Sequence, residues 1–91
     1  MIKSLHCLIS GKVQGVGFRA WTKGIADQMG ICGWVRNLND GRVEVLAQGP
    51  KEKLEEFKGK LARGPVVSRV EDIECKYIDY DKEHKKFELR L

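Results

Sequence analysis

The stretch from Gly11 to Arg19 constrains the fold most, because it joins a segment with strand periodicity to one with helical periodicity. Before it, apolar residues fall on alternate positions, as on one face of a strand: Leu5, Cys7 and Ile9. After it, apolar residues recur at helical spacing: Phe18, Trp21, Ile25 and Met29. The glycines between them therefore stand where a strand turns into a helix, and glycine there permits positive φ and close approach to a ligand.

The start of this helix gives the first indication of function. A helix start leaves N–H groups without partners and carries partial positive charge, and no Ser, Thr, Asp or Asn stands at positions 16–18 to cap them. An anion would satisfy these groups, and Arg19 adds a charge and a planar fork of donors suited to phosphate. On loop composition alone, tight-turn geometry with water at the helix start is the more common explanation.

Three known binding signatures fit this loop poorly. The nucleoside-triphosphate loop ends in Gly-Lys-Ser/Thr, which is absent. Gly15-x-Gly17-x-x-Ala20 matches the dinucleotide fingerprint formally, but the chain is too short for the two halves of that fold. The RNA-binding signature places stacking aromatics on a strand, whereas Phe18 belongs to the predicted helix and residues 42–46 contain no aromatic.

Composition limits the class of protein and of partner. The 91 residues are expected to form one domain, 1–91, and the hydrophobic fraction of 42% supports one modest core. The net charge of +4 favours small acidic ligands, and the interspersed signs form no dense basic stripe. Since there is no signal peptide and no apolar run long enough to cross a bilayer, we expect a cytoplasmic protein.

The three cysteines, Cys7, Cys32 and Cys75, are scattered and show no CxxC spacing, so a zinc site is not expected. Cys7 and Cys75 fall in the apolar phases of predicted strands, and we expect both as small buried hydrophobes. A Cys7–Cys75 bridge is possible if the two strands are neighbours, but a cytoplasmic location argues against it.

The periodicity of the whole chain predicts the element order βαββαβ, and a division of the last strand into two stays open. Strands are expected over residues 3–10, 32–37, 42–48 and 69–77 and near 87–91, with helices over 18–29 and between Gly49-Pro50 and Gly64-Pro65. Asn39-Asp40-Gly41 predicts a tight hairpin between the second and third strands. Two βαβ-type crossovers around a hairpin predict the ferredoxin-like α+β sandwich, an antiparallel sheet with two helices on one face.

This arrangement carries expectations for particular side chains. Asn37, at the end of the second strand, is expected to approach the 11–19 loop. Trp21, Ile25 and Met29 are predicted to pack in the core from the first helix, and Leu54, Phe57 and Leu61 from the second. His84 lies in a charged, loop-like segment and is expected to be solvated at the surface.

Two motifs in the first half of the chain resemble those of the acylphosphatase family. The first is similar to that family's phosphate loop: Gly11-x-Val13-Gln14-Gly15-Val16-x-Phe18-Arg19. The second resembles its other signature across the full spacing: Gly33-Trp34-Val35-Arg36-Asn37, then Gly41-x-Val43, then Gly49. The element order extends the resemblance over the rest of the chain, where no motif tests it and the carboxy-terminal strand has the least support.

The resemblance implies a hydrolase that cleaves the carboxyl–phosphate bond of acyl phosphates to a carboxylate and inorganic phosphate, with no metal and no other cofactor. It places the catalytic roles on Arg19 and Asn37. It places the phosphate-binding backbone on Gln14, Gly15, Val16, Gly17 and Phe18. We expect a small-molecule acyl phosphate as the substrate, no nucleic-acid or membrane partner, and a monomer.

The residue types agree with this chemistry. During transfer, a phosphoryl group spreads negative charge over its oxygens, and preorganised amides together with Arg19 stabilise this charge. A carboxylate leaving group needs little help from a general acid, which fits motifs without His, Asp or Glu. The side-chain amide of Asn37 can hold the attacking water, with a phosphate oxygen taking the water's proton as a further hypothesis.

Alternatives remain open on the sequence alone. An Asn at a strand end before a hairpin is often only turn chemistry. Gln14 can touch phosphate through its side chain or its backbone, and we favour the backbone. A non-catalytic binding module of the same fold, for nucleic acid or protein, is the second hypothesis. A domain normally fused to a larger enzyme that handles carbamoyl phosphate is the third.

Overall fold

The chain forms seven elements in the predicted order, and the computed structural model describes all of residues 1–91. They are β1 (Lys3–Lys12), α1 (Phe18–Met29), β2 (Cys32–Asn37), β3 (Val43–Gly49), α2 (Lys51–Arg63), β4 (Arg69–Ile78) and β5 (Phe87–Leu89). The predicted bounds of α1 and β2 are confirmed, and the bounds of β1, β3 and β4 differ from prediction by at most two residues. Neither helix has the length and apolar character needed to cross a bilayer.

One five-stranded sheet runs in the order β4-β1-β3-β2-β5. The pairs β4–β1, β1–β3 and β3–β2 are antiparallel, as the ferredoxin-like α+β prediction requires. β5 departs from the fully antiparallel prediction, because it lies parallel to β2 with Phe87 opposite Gly33. Since β4 runs opposite to β2, one chain reversal through residues 79–86 gives β5 the direction of β2.

Both helices cover the same face of the sheet and close one core. The strands contribute their alternate apolar residues, which are buried: Leu5, Cys7 and Ile9 from β1 and Val43, Val45 and Ala47 from β3. The predicted stripe of α2 is confirmed, since Leu54, Phe57 and Leu61 are fully buried. This packing fixes the start of α1 beside the ends of β1 and β2, where the site lies.

The buried face of α1 lies one residue further along the sequence than predicted. The residues packed most deeply are Phe18, Thr22 and Ala26. The residues predicted for the core, Trp21, Ile25 and Met29, are only partly buried against it. The small side chains at 22 and 26 let the helix lie close to the sheet, so the larger ones fill the margin of the core.

The structure joins Cys7 and Cys75 in a disulfide, which the sequence left open and against which only the expected cytoplasmic location argued. The antiparallel register of β1 and β4 sets Cys7 opposite Cys75, with their Cα atoms 4.1 Å apart. Both side chains lie on the helix-covered face, and Cys32 remains a free thiol.

The prediction that His84 is solvated is also wrong, because this residue is half-buried. Its backbone N–H donates to Gln48 Oε1 at 2.8 Å, and its ring stacks on Tyr80 with centroids 5.9 Å apart. Burial lowers the pKa of His84 below its ordinary value, and the positive charges of Lys82 and Arg90 act in the same direction. The segment after β4 therefore packs against the open face of the sheet.

Candidate active site

Five residues, 13–17, connect β1 to α1, and two of them have backbone conformations that favour glycine. Gly15 has φ 74° and Gly17 has φ 76°, both in the left-handed region. A Cβ added at either position would meet no atom within 4 Å. Glycine is therefore needed here for the turn of the backbone, and crowding plays no part.

The start of α1 has no side chain that caps its amides. The capping residue is Gly17, which has no side chain to accept from these amides, and the first turn contains no acidic residue. The first backbone bond of the helix runs from Trp21 N–H to the Gly17 carbonyl, at 3.0 Å. The N–H groups before Trp21 therefore remain available to an anion, together with the positive end of the helix dipole.

A cavity of about 170 Å³ lies at this helix start. It is lined by the loop, the first turn of α1, the end of β2 and the end of β5: Val13, Gly15, Gly17, Phe18, Arg19, Ala20, Asn37 and Leu89. Its volume corresponds to about five or six water molecules of liquid, which is space for a tetrahedral oxyanion. Arg19 is the only charged residue in the lining, so the cavity is electrostatically positive.

Arg19 is oriented by the far end of the chain. Its Nη1 donates a hydrogen bond of 2.7 Å to the backbone carbonyl of Arg90. The Arg90 N–H in turn donates to the Val35 carbonyl at 2.9 Å, which continues the pairing of β5 with β2. A guanidinium carries five N–H donors, so the remaining ones are free to contact a ligand in the cavity.

Asn37 ends β2 and lines the same cavity as Arg19, so the expected approach of Asn37 to the loop is seen. Its Oδ1 is buried and accepts no hydrogen bond from the protein. A buried carbonyl oxygen without a partner is costly in a folded protein and often marks a place where a water or ligand binds.

Gln14 and Val16 are placed differently from the other predicted site residues, since neither lines the cavity. The Gln14 side chain leaves the loop and donates to two backbone carbonyls of the β2–β3 hairpin, Leu38 at 2.7 Å and Arg42 at 2.9 Å. Val16 is partly buried against the core. Gly15, Gly17 and Phe18 are in the lining, together with Arg19 and Asn37.

Sequence reasoning missed the contribution of the carboxy-terminal strand. Leu89 lines the cavity, and the carbonyl of Arg90 orients Arg19. No local signal marks either residue, because both reach the site only through the parallel pairing of β5 with β2.

Two acidic side chains lie near the hairpin but outside the cavity: Glu44 on the open face of the sheet and Asp40 in the turn. Burial alone would raise the pKa of Glu44, but hydrogen bonds from His6 and Arg36, at 2.7 and 2.6 Å, hold it below its ordinary value. A hydrogen bond from the Arg42 backbone lowers the pKa of Asp40. Both carboxylates are thus engaged by neighbours and do not compete for Arg19. No group of three or more His, Cys, Asp or Glu side chains is arranged to hold a metal ion.

Known proteins resemble this chain along its whole length. A family model described as Acylphosphatase matches residues 5–89. An acylphosphatase of Nitrosococcus oceani is 48% identical over 90 residues, which cover 99% of this chain and 100% of that protein. The crystal structure of acylphosphatase from Bacillus subtilis superposes with a TM-score of 0.93 at 36% identity and covers 100% of both chains.

The same fold also occurs inside a much longer protein. Full-length HypF, in its phosphate- and nucleotide-bound form, matches with a TM-score of 0.87 at 26% identity, covering 99% of this chain and 12% of that one. The family model and the full-length relative decide the assignment, because they extend over nearly every residue and share one description. The chain therefore belongs to the acylphosphatase family and is a hydrolase of acyl phosphates.

Proposed function

We propose that the backbone amides at the start of α1 and the guanidinium of Arg19 hold the phosphoryl group, while Asn37 holds the attacking water. The water oxygen forms a bond to phosphorus as the bond from phosphorus to the acyl oxygen breaks. The carboxylate leaves with the electron pair of that bond, and a phosphate oxygen takes the proton of the water. These steps need positioning and charge stabilisation more than acid–base chemistry.

One observation carries this proposal. The buried Oδ1 of Asn37 has no hydrogen-bond partner in the protein and belongs to the same cavity as Arg19 and the uncapped helix start. A water that donates to Oδ1 would satisfy this atom and would stand beside a phosphoryl group bound by Arg19. The lining contains no Asp, Glu or His, which supports a reaction without a general acid.

The backbone role of residues 14–18 is part of the same proposal. Gly15 and Gly17 give the loop its left-handed turns, and Phe18 begins the helix whose amides are uncapped. Because both amide hydrogens of the Gln14 side chain donate to the hairpin, its contribution to phosphate would come from the main chain. Val16 contributes its backbone in the same way, with its side chain against the core.

The test is hydrolysis of benzoyl phosphate in the presence of EDTA, which should proceed at the same rate as without it. Arg19→Ala should raise the inhibition constant of inorganic phosphate and lower kcat/KM by at least about 10²–10³-fold, the usual loss for one such donor. Asn37→Ala should lower kcat by a similar factor and change the phosphate inhibition constant only a few-fold.

Asn39→Ala is the matched control, because Asn39 is an exposed asparagine of the same hairpin. It should retain the turnover of the wild type. Equal loss of phosphate affinity in Arg19→Ala and Asn37→Ala would reject their separate roles, and loss of activity with EDTA would reject the metal-free reaction.

A monomer, without nucleic-acid or membrane partners, is part of the proposal. Light scattering at assay concentration would test the monomer. A cytoplasmic location remains a prediction with a finding against it, because a disulfide such as Cys7–Cys75 is typical of oxidising compartments.

A further inference from the structure

The Gln14 side chain links the phosphate loop to the β2–β3 hairpin. Its Nε2 donates both of its hydrogens, one to the Leu38 carbonyl at 2.7 Å and one to the Arg42 carbonyl at 2.9 Å. The Leu38 N–H donates to the same Arg42 carbonyl at 2.8 Å, which closes the base of the hairpin. Gln14 is therefore bonded to the residue that directly follows Asn37.

Backbone hydrogen bonds of the sheet do not link the loop to the hairpin. The ladder between β1 and β3 ends at Ile9 opposite Val43, whereas β1 continues to Lys12 along β4 only. A register shift after Ser10 marks the place where β1 leaves the centre of the sheet. Beyond Ile9, the hydrogen bonds that join the loop to the hairpin are the two donated by the Gln14 side chain.

We propose that Gln14 is a positioning residue, whose side chain fixes the distance between the phosphate-binding loop and Asn37. This inference depends on the proposed function, in which the loop holds phosphate and Asn37 holds water. Phosphate would be bound by groups on α1 and its loop, which remain in place without the link. Loss of the link would shift Asn37, so turnover should decrease more than phosphate affinity.

Gln14→Met tests the inference, because methionine has nearly the same length and no donor. We expect kcat for benzoyl phosphate to fall by about 10–100-fold, as for a displacement of about 1 Å at a reacting centre. The inhibition constant of inorganic phosphate should change by less than threefold, roughly the effect of a lost remote contact. Gln28→Met, at an exposed glutamine on α1, should leave both values unchanged.

A double-mutant cycle with Asn37→Ala separates positioning from a general structural role. If Gln14 acts through Asn37, adding Gln14→Met to Asn37→Ala should lower kcat by less than about twofold further. An equal factor in both backgrounds, or a phosphate inhibition constant that rises as much as kcat falls, would overturn the inference. The proposed function has its own check, since wild-type turnover in Asn37→Ala alone would reject it whatever Gln14 does.

Gln14→Glu provides a second variant in case Gln14→Met does not fold. An ionised carboxylate faces two carbonyl oxygens and cannot donate, whereas its protonated form donates one hydrogen bond. The kcat of Gln14→Glu relative to wild type should therefore rise as pH falls from about 8 to about 4, because the two carbonyl oxygens raise the pKa of this glutamate above its usual value of about 4.3. A ratio that stays constant over this range would contradict the role of donation to the hairpin.

Discussion

Replacing Gly17 by alanine tests the conformation on which the site is built. Gly17 caps α1 at φ 76° and ψ 18°, and a Cβ there would meet no atom within 4 Å. Because space is available, the whole cost comes from holding an L-residue in the left-handed region, about 1–2 kcal/mol. Gly17→Ala should lower the free energy of unfolding by that amount.

Gly24→Ala is the matched control within the same helix. Gly24 lies inside α1, has no positive φ, and also has no atom within 4 Å of an added Cβ. Alanine there should raise the free energy of unfolding by about 0.8–1.0 kcal/mol, from its better helix propensity. The free energies of unfolding of Gly17→Ala and Gly24→Ala should thus differ by about 2–3 kcal/mol, although each variant adds the same methyl group.

Urea unfolding with the disulfide intact measures this difference, and melting temperatures should follow at about 4–8 °C for each kcal/mol. The kcat/KM for benzoyl phosphate should fall in Gly17→Ala, because strain at residue 17 turns the amides of the helix start. It should be unchanged in Gly24→Ala. Equal stability of the two variants would refute the left-handed cap and, with it, the arrangement of the amides.

Three further predictions concern the open sheet face, the disulfide and the guanidinium. The folded-state pKa of Glu44 lies below the ordinary glutamate value of 4.5, so its contribution to stability is present above that pH and is lost as pH falls through the folded pKa. The gap in unfolding free energy between wild type and Glu44→Gln should therefore narrow from pH 7 to pH 3, and a constant gap would contradict this. Reduction of the Cys7–Cys75 bridge, which spans 68 residues, should lower the free energy of unfolding in urea by about 4 kcal/mol. Reductant should shift the urea midpoint of Cys32→Ser as much as that of wild type. Equal midpoints with and without reductant would count against the bridge. Arg19→Lys should recover only part of the kcat/KM lost in Arg19→Ala, because lysine lacks the planar fork, and full recovery would show that charge alone suffices.

The local features of the site could be predicted from the sequence because they depend on neighbouring residues. The glycines at 15 and 17, the uncapped start of α1 and the hairpin after Asn37 all follow from residue type and spacing. The expected approach of Asn37 to the loop followed from the order of the strands, which periodicity indicates. The acylphosphatase motifs also predicted the family to which the chain belongs.

The features that were missed depend on residues far apart in the chain. The bonds of Gln14 to the hairpin span 24 and 28 residues, and that of Arg19 to Arg90 spans 71. The parallel direction of β5 and the half-buried state of His84 arise from the path of residues 79–86, which has no periodic pattern. The rotation of α1 by one position depends on how closely small side chains let it approach the sheet, and an apolar stripe does not encode that distance.

The bond from Arg19 to the Arg90 carbonyl has a consequence for synthesis on the ribosome. The phosphate loop and the hairpin leave the exit tunnel well before the segment that orients the guanidinium, because translation proceeds from the amino terminus. A nascent chain that has completed α2 already contains Asn37 and the glycine turns, but its arginine has no acceptor. On the proposed role of Arg19, the phosphate-binding arrangement would therefore be complete only after β5 has docked beside β2.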